Sequence, residues 1–252
     1  MTAAALSIPR LIGHRGAARH APENTLSGMR TAALQGALWV ELDVKLTADG
    51  VPVLLHDDDL DRTTNGHGPA AQVDFVEMRK LDAGSWFSAD FRGEKVPTLA
   101  EAIQAASLLD LGLNLEIKPC PGRDEQTAGI ALSLALGLWP ADRPPPLISS
   151  FSVEALEMAK TVAPHWPRGY LMDEVPADWA DIADRLDVAT ININAARETV
   201  ESIAAFRATG RPVLAYTVND AAEARRLFSW GITSLFTDTP KGLLEGLTAK
   251  RS

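Results

Sequence analysis

Trp39-Val40-Glu41-Leu42-Asp43-Val44-Lys45-Leu46, then Thr47-Ala48-Asp49-Gly50, then Val51-Pro52-Val53-Leu54-Leu55-His56 is the stretch on which the fold turns. The outer pieces read as strands, rich in aliphatic and β-branched residues. A parallel crossover needs about a dozen connecting residues, so a four-residue link ending in Asp-Gly forces the second run back antiparallel on the first. Working outward, extended runs recur at 10–13, 38–45, 51–56, 113–118, 147–151, 168–172, 189–194, 212–218 and 234–237. Helical segments such as Thr98 to Leu109, Val153 to Val162, Thr199 to Thr209 and Ala221 to Trp230 fall between them. Alternating strands and helices make a parallel sheet wrapped by helices. Setting aside the hairpin return at 51–56 leaves eight strands, the number that closes an α/β TIM (β/α)8 barrel. The chain then reads as a single domain over 1–252, with a small insertion after the second strand at about 46–97. Active sites of such barrels form at the C-terminal ends of the strands, so the insertion is expected to roof the site.

The rest of the composition narrows the function. In 252 residues, 46% are hydrophobic, which suits a globular protein with a large core. No apolar run approaches the 18 or so residues of a membrane span. Met1 to Arg10 lacks a secretory pattern, and the single Cys120 leaves no disulfide to form within the chain, so a cytoplasmic protein is expected. A net charge of −9 argues against general binding of nucleic acid or anionic membranes, which need basic surfaces. An anionic small-molecule substrate would need local cations. Oligomeric state is left open.

The strand side chains carry the chemistry. Side chains two apart in a strand share a face, so Glu41 with Asp43, and Glu116 with Lys118, each point one way. Buried carboxylates on neighbouring strands repel unless something compensates them. A solvated edge would be the ordinary reading of Glu41 and Asp43, but Trp39, Val40, Leu42 and Val44 around them argue against exposure. Glu41, Asp43 and Glu116 therefore read as an all-oxygen site for a hard divalent cation, Mg2+ or Ca2+. No zinc set is present, with one cysteine and no paired histidine spacing. His14 and His56 each end an apolar run. Singly each would be structural; beside an acid cluster they read as an acid–base pair, one accepting and the other donating a proton. Arg15 and Lys118 supply charge for phosphate oxygens, with pairing to Glu23 or Asp57 as the structural alternative. Tyr216, near a strand end, is a further candidate for substrate contact. His20, His67 and His165 sit in turn-rich sequence and are expected to lie outside the site. Asn24 or Thr25 reads as a helix N-cap and nothing more. Together these residues point to a metal-assisted phosphoester hydrolase.

An ordered series of motifs then resembles one family. Gly13-His14-Arg15-Gly16, Ala21-Pro22-Glu23-Asn24-Thr25, Glu41-Leu42-Asp43, Asp49-Gly50, Leu55-His56-Asp57 and Leu60-Asp61-Arg62-Thr63-Thr64-Asn65-Gly66 lead it. Leu81-Asp82-Ala83-Gly84-Ser85-Trp86-Phe87, Pro97-Thr98-Leu99, Glu116-Ile117-Lys118, Ser150-Phe151, Tyr216-Thr217-Val218-Asn219 and Thr237-Asp238 complete it. In these the chain resembles the bacterial cytosolic glycerophosphodiester phosphodiesterases over nearly its full length. The resemblance implies a barrel with an insertion after the second strand, metal ligands at Glu41, Asp43 and Glu116, and acid–base histidines at His14 and His56. It also implies phosphate binding by Arg15 and Lys118, and a Mg2+ or Ca2+ cofactor. Tyr216 stands where many members carry Trp. The implied reaction is hydrolysis of deacylated phospholipids to sn-glycerol 3-phosphate and an alcohol. A lysophospholipase D and an inactive metal- or phosphate-binding module are the alternatives.

Overall fold

The computed structural model describes residues 7–249, so much of the Met1 to Arg10 segment lies outside the described residues. The chain begins with β1 (Leu11–Gly13), α1 (Leu26–Leu34), β2 (Trp39–Leu46) and β3 (Pro52–Leu54). Next come α2 (Phe75–Met78), α3 (Leu99–Leu108), β4 (Gly112–Ile117), α4 (Asp124–Leu138), β5 (Leu147–Ser150) and α5 (Val153–Val162). The last part holds β6 (Arg168–Met172), α6 (Trp179–Arg185), β7 (Thr190–Asn194), α7 (Val200–Ala208) and β8 (Val213–Tyr216). It ends with α8 (Ala221–Trp230), β9 (Ser234–Thr237) and α9 (Pro240–Thr248).

The strands run in the order β1-β9-β8-β7-β6-β5-β4-β2-β3, and β1 also pairs with β2. That last pairing closes eight parallel strands into a TIM barrel and leaves β3 outside it, antiparallel to β2 with Val44 opposite Leu54. The turn between them forms as its residues require. Gly50 takes φ +84, where a side chain would be strained. Val51 N–H donates to Thr47 Oγ1 at 2.9 Å, and Thr47 Oγ1 donates to Asp49 Oδ1 at 2.5 Å.

Strand alternation sorts the core. Val40, Leu42 and Val44 of β2, with Leu113, Leu115 and Ile117 of β4, pack with α1, α3, α4 and α5. The opposite face of the same strands carries Glu41, Asp43, Asn114 and Glu116, all buried. Helix ends follow their caps: Thr98 and Glu101 form a capping box at α3, and Ser152 caps α5. At α1, Thr25 is the cap, accepting from Gly28 N–H at 3.0 Å. Asn24 is freed for another task.

Between β2 and α3 the chain builds its own small apolar cluster, with Val53, Leu55, Leu60, Met78 and Val96 among its members. Two sets of hydrogen bonds, one of them an ion pair, tie this segment to the barrel's helices. Glu94 accepts from Ser27 N–H and Oγ at 3.1 and 2.6 Å, and Arg79 forks onto Glu101 at 2.8 and 2.6 Å.

Candidate active site

Register brings the acids together. On β2 and β4, Asp43 lies opposite Glu116 and Glu41 opposite Asn114, so three carboxylates share one face at the C-terminal ends of the strands. Ligand-capable oxygens of Glu41, Asp43 and Glu116 lie within 4.8 Å of one another, and all three residues are buried. In this setting burial, then Asp43 and Glu116, raises the Glu41 carboxyl well above its ordinary range. Burial and then Asp43 push Glu116 up to about 7. Burial would raise Asp43 too, but Arg15, Lys118, His56 and a hydrogen bond from Asn24 outweigh it and hold Asp43 low. One oxygen, Glu41 Oε1, is buried with no partner among the described residues. Two carboxyls that resist ionisation and one orphaned oxygen are what a hard cation would compensate, so the residues present fit a divalent metal.

The two cations sit on this cluster. Lys118 Nζ is 3.1 Å from Glu116 and 3.6 Å from Asp43. Arg15 donates from Nη1 to Glu23 at 2.8 Å, with Nε 3.4 Å from Asp43, and its backbone N–H donates to Glu41 Oε2 at 2.9 Å. Glu23 is thus a structural partner of Arg15, whereas Lys118 pairs with Glu116 and Asp43, not with Asp57. The Arg15 backbone takes φ +49, in the left-handed region that a non-glycine residue enters at a cost. The flanking glycines make that turn fit: a Cβ on Gly13 would lie 2.3 Å from Gly16 O, and one on Gly16 would lie 2.6 Å from the Gly28 carbonyl carbon.

Both histidines arrive by strand pairing. Gly13 of β1 is in register with Thr237 of β9, so the residues that follow, His14 and Asp238, meet: Nδ1 and Oδ1 are 2.7 Å apart. The returning β3 continues to Leu55, whose N–H donates to the Asp43 carbonyl, and so brings His56 alongside the acids. His56 Nδ1 is 2.6 Å from Asp57 Oδ1. Asp238 and Asp57 are both held below the ordinary carboxylate range. For Asp238, burial pushes up but the contact with His14 outweighs it; for Asp57, Arg62 is the largest cause. Ionised carboxylates only accept, so each Nδ1 is a donor and each Nε2 is left for the cleft. Burial, the largest influence, holds the His56 imidazole below its ordinary value despite Asp43 and Asp57.

His14, Arg15, Glu41, His56, Glu116, Lys118 and Tyr216 all line one cleft of about 460 Å³, with Ser149, Phe151, Leu171, Thr217 and Phe236. Asp43 completes the acid cluster at 1% exposure. The Tyr216 hydroxyl donates to the Met172 carbonyl at 2.9 Å, so the tyrosine meets the cleft with its ring, edge-on to Phe151. His20 bonds Thr239 at 3.1 Å and His67 bonds Asp61 at 2.8 Å, both on exposed surface.

Sequence reasoning missed four supporting residues. Asn24 is no cap: at φ +54 it donates from Nδ2 to Asp43 Oδ2 at 2.7 Å and accepts Asp43 N–H at 3.1 Å. Asp238 orients His14, and Asn219 donates to the other Asp238 oxygen at 2.7 Å. Arg62 holds Asp57. Asp238 and Asn219 follow the last two barrel strands at their C-terminal ends, and that position was the available signal. Arg62 carried none.

Residues 14–242 match the family described as Glycerophosphoryl diester phosphodiesterase family. The chain belongs to that family. A phosphodiesterase from Oleispira antarctica, solved in complex with the product sn-glycerol-3-phosphate, is 40% identical and superposes with a TM-score of 0.93, covering 96% of this chain and 98% of its own. A glycerophosphodiester phosphodiesterase of Caldanaerobacter subterraneus is 33% identical over 241 residues, 93% of this chain and 96% of its own. One from Bacillus subtilis is 32% identical over 246 residues, 91% of this chain and 83% of its own. The chain is accordingly an enzyme of the glycerophosphodiester phosphodiesterase class, with its family's fold around the cleft described above. No helix among the described residues is long and apolar enough to cross a membrane.

Proposed function

We propose that this phosphodiesterase hydrolyses deacylated phospholipids, such as glycerophosphocholine or glycerophosphoethanolamine, to sn-glycerol 3-phosphate and the free alcohol. The observation that carries the reading is the convergence, in one cleft, of three buried carboxylates, two carboxylate-held histidines and two cations. The product bound in the Oleispira relative supports the same substrate class. Glu41, Asp43 and Glu116 hold a divalent cation, Mg2+ or Ca2+, which supplies Lewis-acid charge for the phosphoryl oxygens when bound. Arg15 and Lys118 grip the phosphate, Arg15 through its fork. One histidine takes a proton at Nε2 from the attacking oxygen while the other gives one to the departing alkoxide, and the carboxylate behind each ring keeps its tautomer in place. The attacking oxygen is the substrate's own 2-hydroxyl, with a cyclic glycerol phosphate opened by water in a second step in which the histidines exchange roles. Tyr216 contributes its ring to the glycerol side. The catalyst is one domain over 1–252 with an insertion at about 46–97, and it acts in the cytoplasm on a soluble small molecule, a placement supported by the lone cysteine.

The test is a panel of glycerophosphodiesters and lysophospholipids assayed after chelation and after return of each metal. Turnover of glycerophosphodiesters that vanishes with chelator and returns with Mg2+ or Ca2+ is the expected result. Preference for lysophospholipids would move the activity to a lysophospholipase D, and no turnover of any substrate would leave a binding module. An analogue lacking the 2-hydroxyl should bind and turn over very slowly; hydrolysis at the normal rate would leave water as the direct nucleophile.

A further inference from the structure

Arg62 belongs to the segment between β2 and α3 and does not line the cleft, yet its guanidinium bridges Asp57 and Glu23, the carboxylates that hold His56 and Arg15, which do. Nε and Nη2 donate to Asp57 Oδ2 and Oδ1 at 2.6 and 2.8 Å. Nη1 and Nη2 donate to Glu23 Oε2 and Oε1, both at 2.8 Å. Each carboxylate is shared. Asp57 Oδ1 also takes His56 Nδ1 at 2.6 Å, and Glu23 Oε1 also takes Arg15 Nη1 at 2.8 Å. One planar cation thus links the group that orients an imidazole to the group that orients a guanidinium.

From this we infer that Arg62 is a positioning residue, a clamp that sets the spacing between His56 and Arg15. The inference rests on the reading of His56 as an acid–base group and Arg15 as a phosphate ligand. A guanidinium can hold two carboxylates at once because its donors lie in one rigid plane, and without it Glu23 and Asp57 would repel. Lysine keeps the charge and loses the plane. A rate that depends on the distance between proton donor and phosphate grip is sensitive to small displacements; about 1 Å can cost on the order of 10²-fold. Arg79 provides the contrast. It also forks onto a carboxylate, Glu101, and ties the same segment to α3, but it touches nothing in the cleft.

The experiment compares Arg62→Gln, Arg62→Lys and Arg79→Gln in the full chain with saturating divalent cation, measuring kcat and KM for glycerophosphocholine and metal affinity by calorimetry. Both Arg62 variants are expected to lose about 10- to 100-fold in kcat, with KM moving less than about threefold and metal affinity unchanged, while Arg79→Gln keeps kcat. If Arg62→Gln does not fold by circular dichroism, Arg62→Lys carries the test, since it retains the charge that seats the segment. Wild-type kcat in Arg62→Lys, or an equal loss in Arg79→Gln, overturns the clamp and leaves Arg62 only seating its segment. His56→Ala and Arg15→Lys measured alongside separate the levels. Wild-type rates in those two remove the reading of the cleft, and the clamp with it; their loss beside an unaffected Arg62→Lys removes the clamp alone.

Discussion

Several candidate side chains of the cleft are held from behind by residues that do not line it. His14 leans on Asp238, whose second oxygen is occupied by Asn219. Asp238→Asn replaces an acceptor by a group that can donate, and the His14 ring then loses the partner that keeps its proton on Nδ1. The expected result is a fall in kcat of about 10²- to 10⁴-fold with the fold retained, read by steady-state kinetics beside circular dichroism; an unchanged kcat would make Asp238 structural. Asn24 holds Asp43 from two sides, by its amide nitrogen and its amide oxygen. Asn24→Ala should therefore weaken divalent-metal affinity by about 10- to 100-fold, measured by calorimetry, because the carboxylate loses its aim and not its charge. Asn24→Asp should be worse, since it places a fourth carboxylate against Asp43; equal affinity in the two variants would contradict that. These residues were illegible for different reasons. Asn24 fits a cap as well as a ligand holder, and only the left-handed backbone turns it away from the helix.

At the scale of elements, the cleft depends on two short pieces of backbone. Gly13-His14-Arg15-Gly16 turns through a left-handed Arg15 so that its amide reaches Glu41. Gly16→Ala faces both φ +90 and a carbonyl carbon 2.6 Å from the new Cβ. It should cost about 2 kcal/mol or more in urea unfolding, because backbone and not a flexible side chain must yield. A loss below about half of that would mean that the turn relaxes freely. The second piece is the Asp49-Gly50 hairpin. Its shortness alone dictated that β3 fold back, so its direction was readable. The places of the strands were readable too, to within a residue at Trp39–Leu46 and Gly112–Ile117 where apolar and polar residues alternate, although the runs 51–56 and 212–218 shorten to Pro52–Leu54 and Val213–Tyr216. Helix α3 starts at its Thr98 cap and α8 at Asp220, because a short polar side chain satisfies amides that the first turn leaves free. The register between strands was not readable. Hydrophobic period assigns a residue to a face, and says nothing of which residue on the next strand stands beside it.

For the molecule as a whole, proton, metal and stability are linked through the acid cluster. Glu116 titrates near 4.5 when unfolded and up to about 7 when buried beside Asp43, so without metal the native state holds a proton that the unfolded chain has lost between those values. The stability drawn from that proton is full below the unfolded value and is lost as pH rises through about 7. A divalent cation must displace the proton. The rise in Tm on adding Mg2+ or Ca2+ to chelated enzyme should therefore be larger at about pH 8 than at about pH 5.5. Glu116→Gln should flatten that difference, and an equal metal-induced rise at both pH values in the native sequence would break the link. By itself the sequence determined the barrel, its extra antiparallel strand and the candidate residues that the structure gathers around one cleft, because strand count, turn length and buried charge are local properties of the chain. Only the tertiary structure decided which groups stand behind them. Asp238 meets His14 across 224 positions and Arg62 meets Glu23 across 39, through barrel closure and through the seating of a loop. Neither contact leaves a trace in local pattern, since both depend on where distant strands end in space.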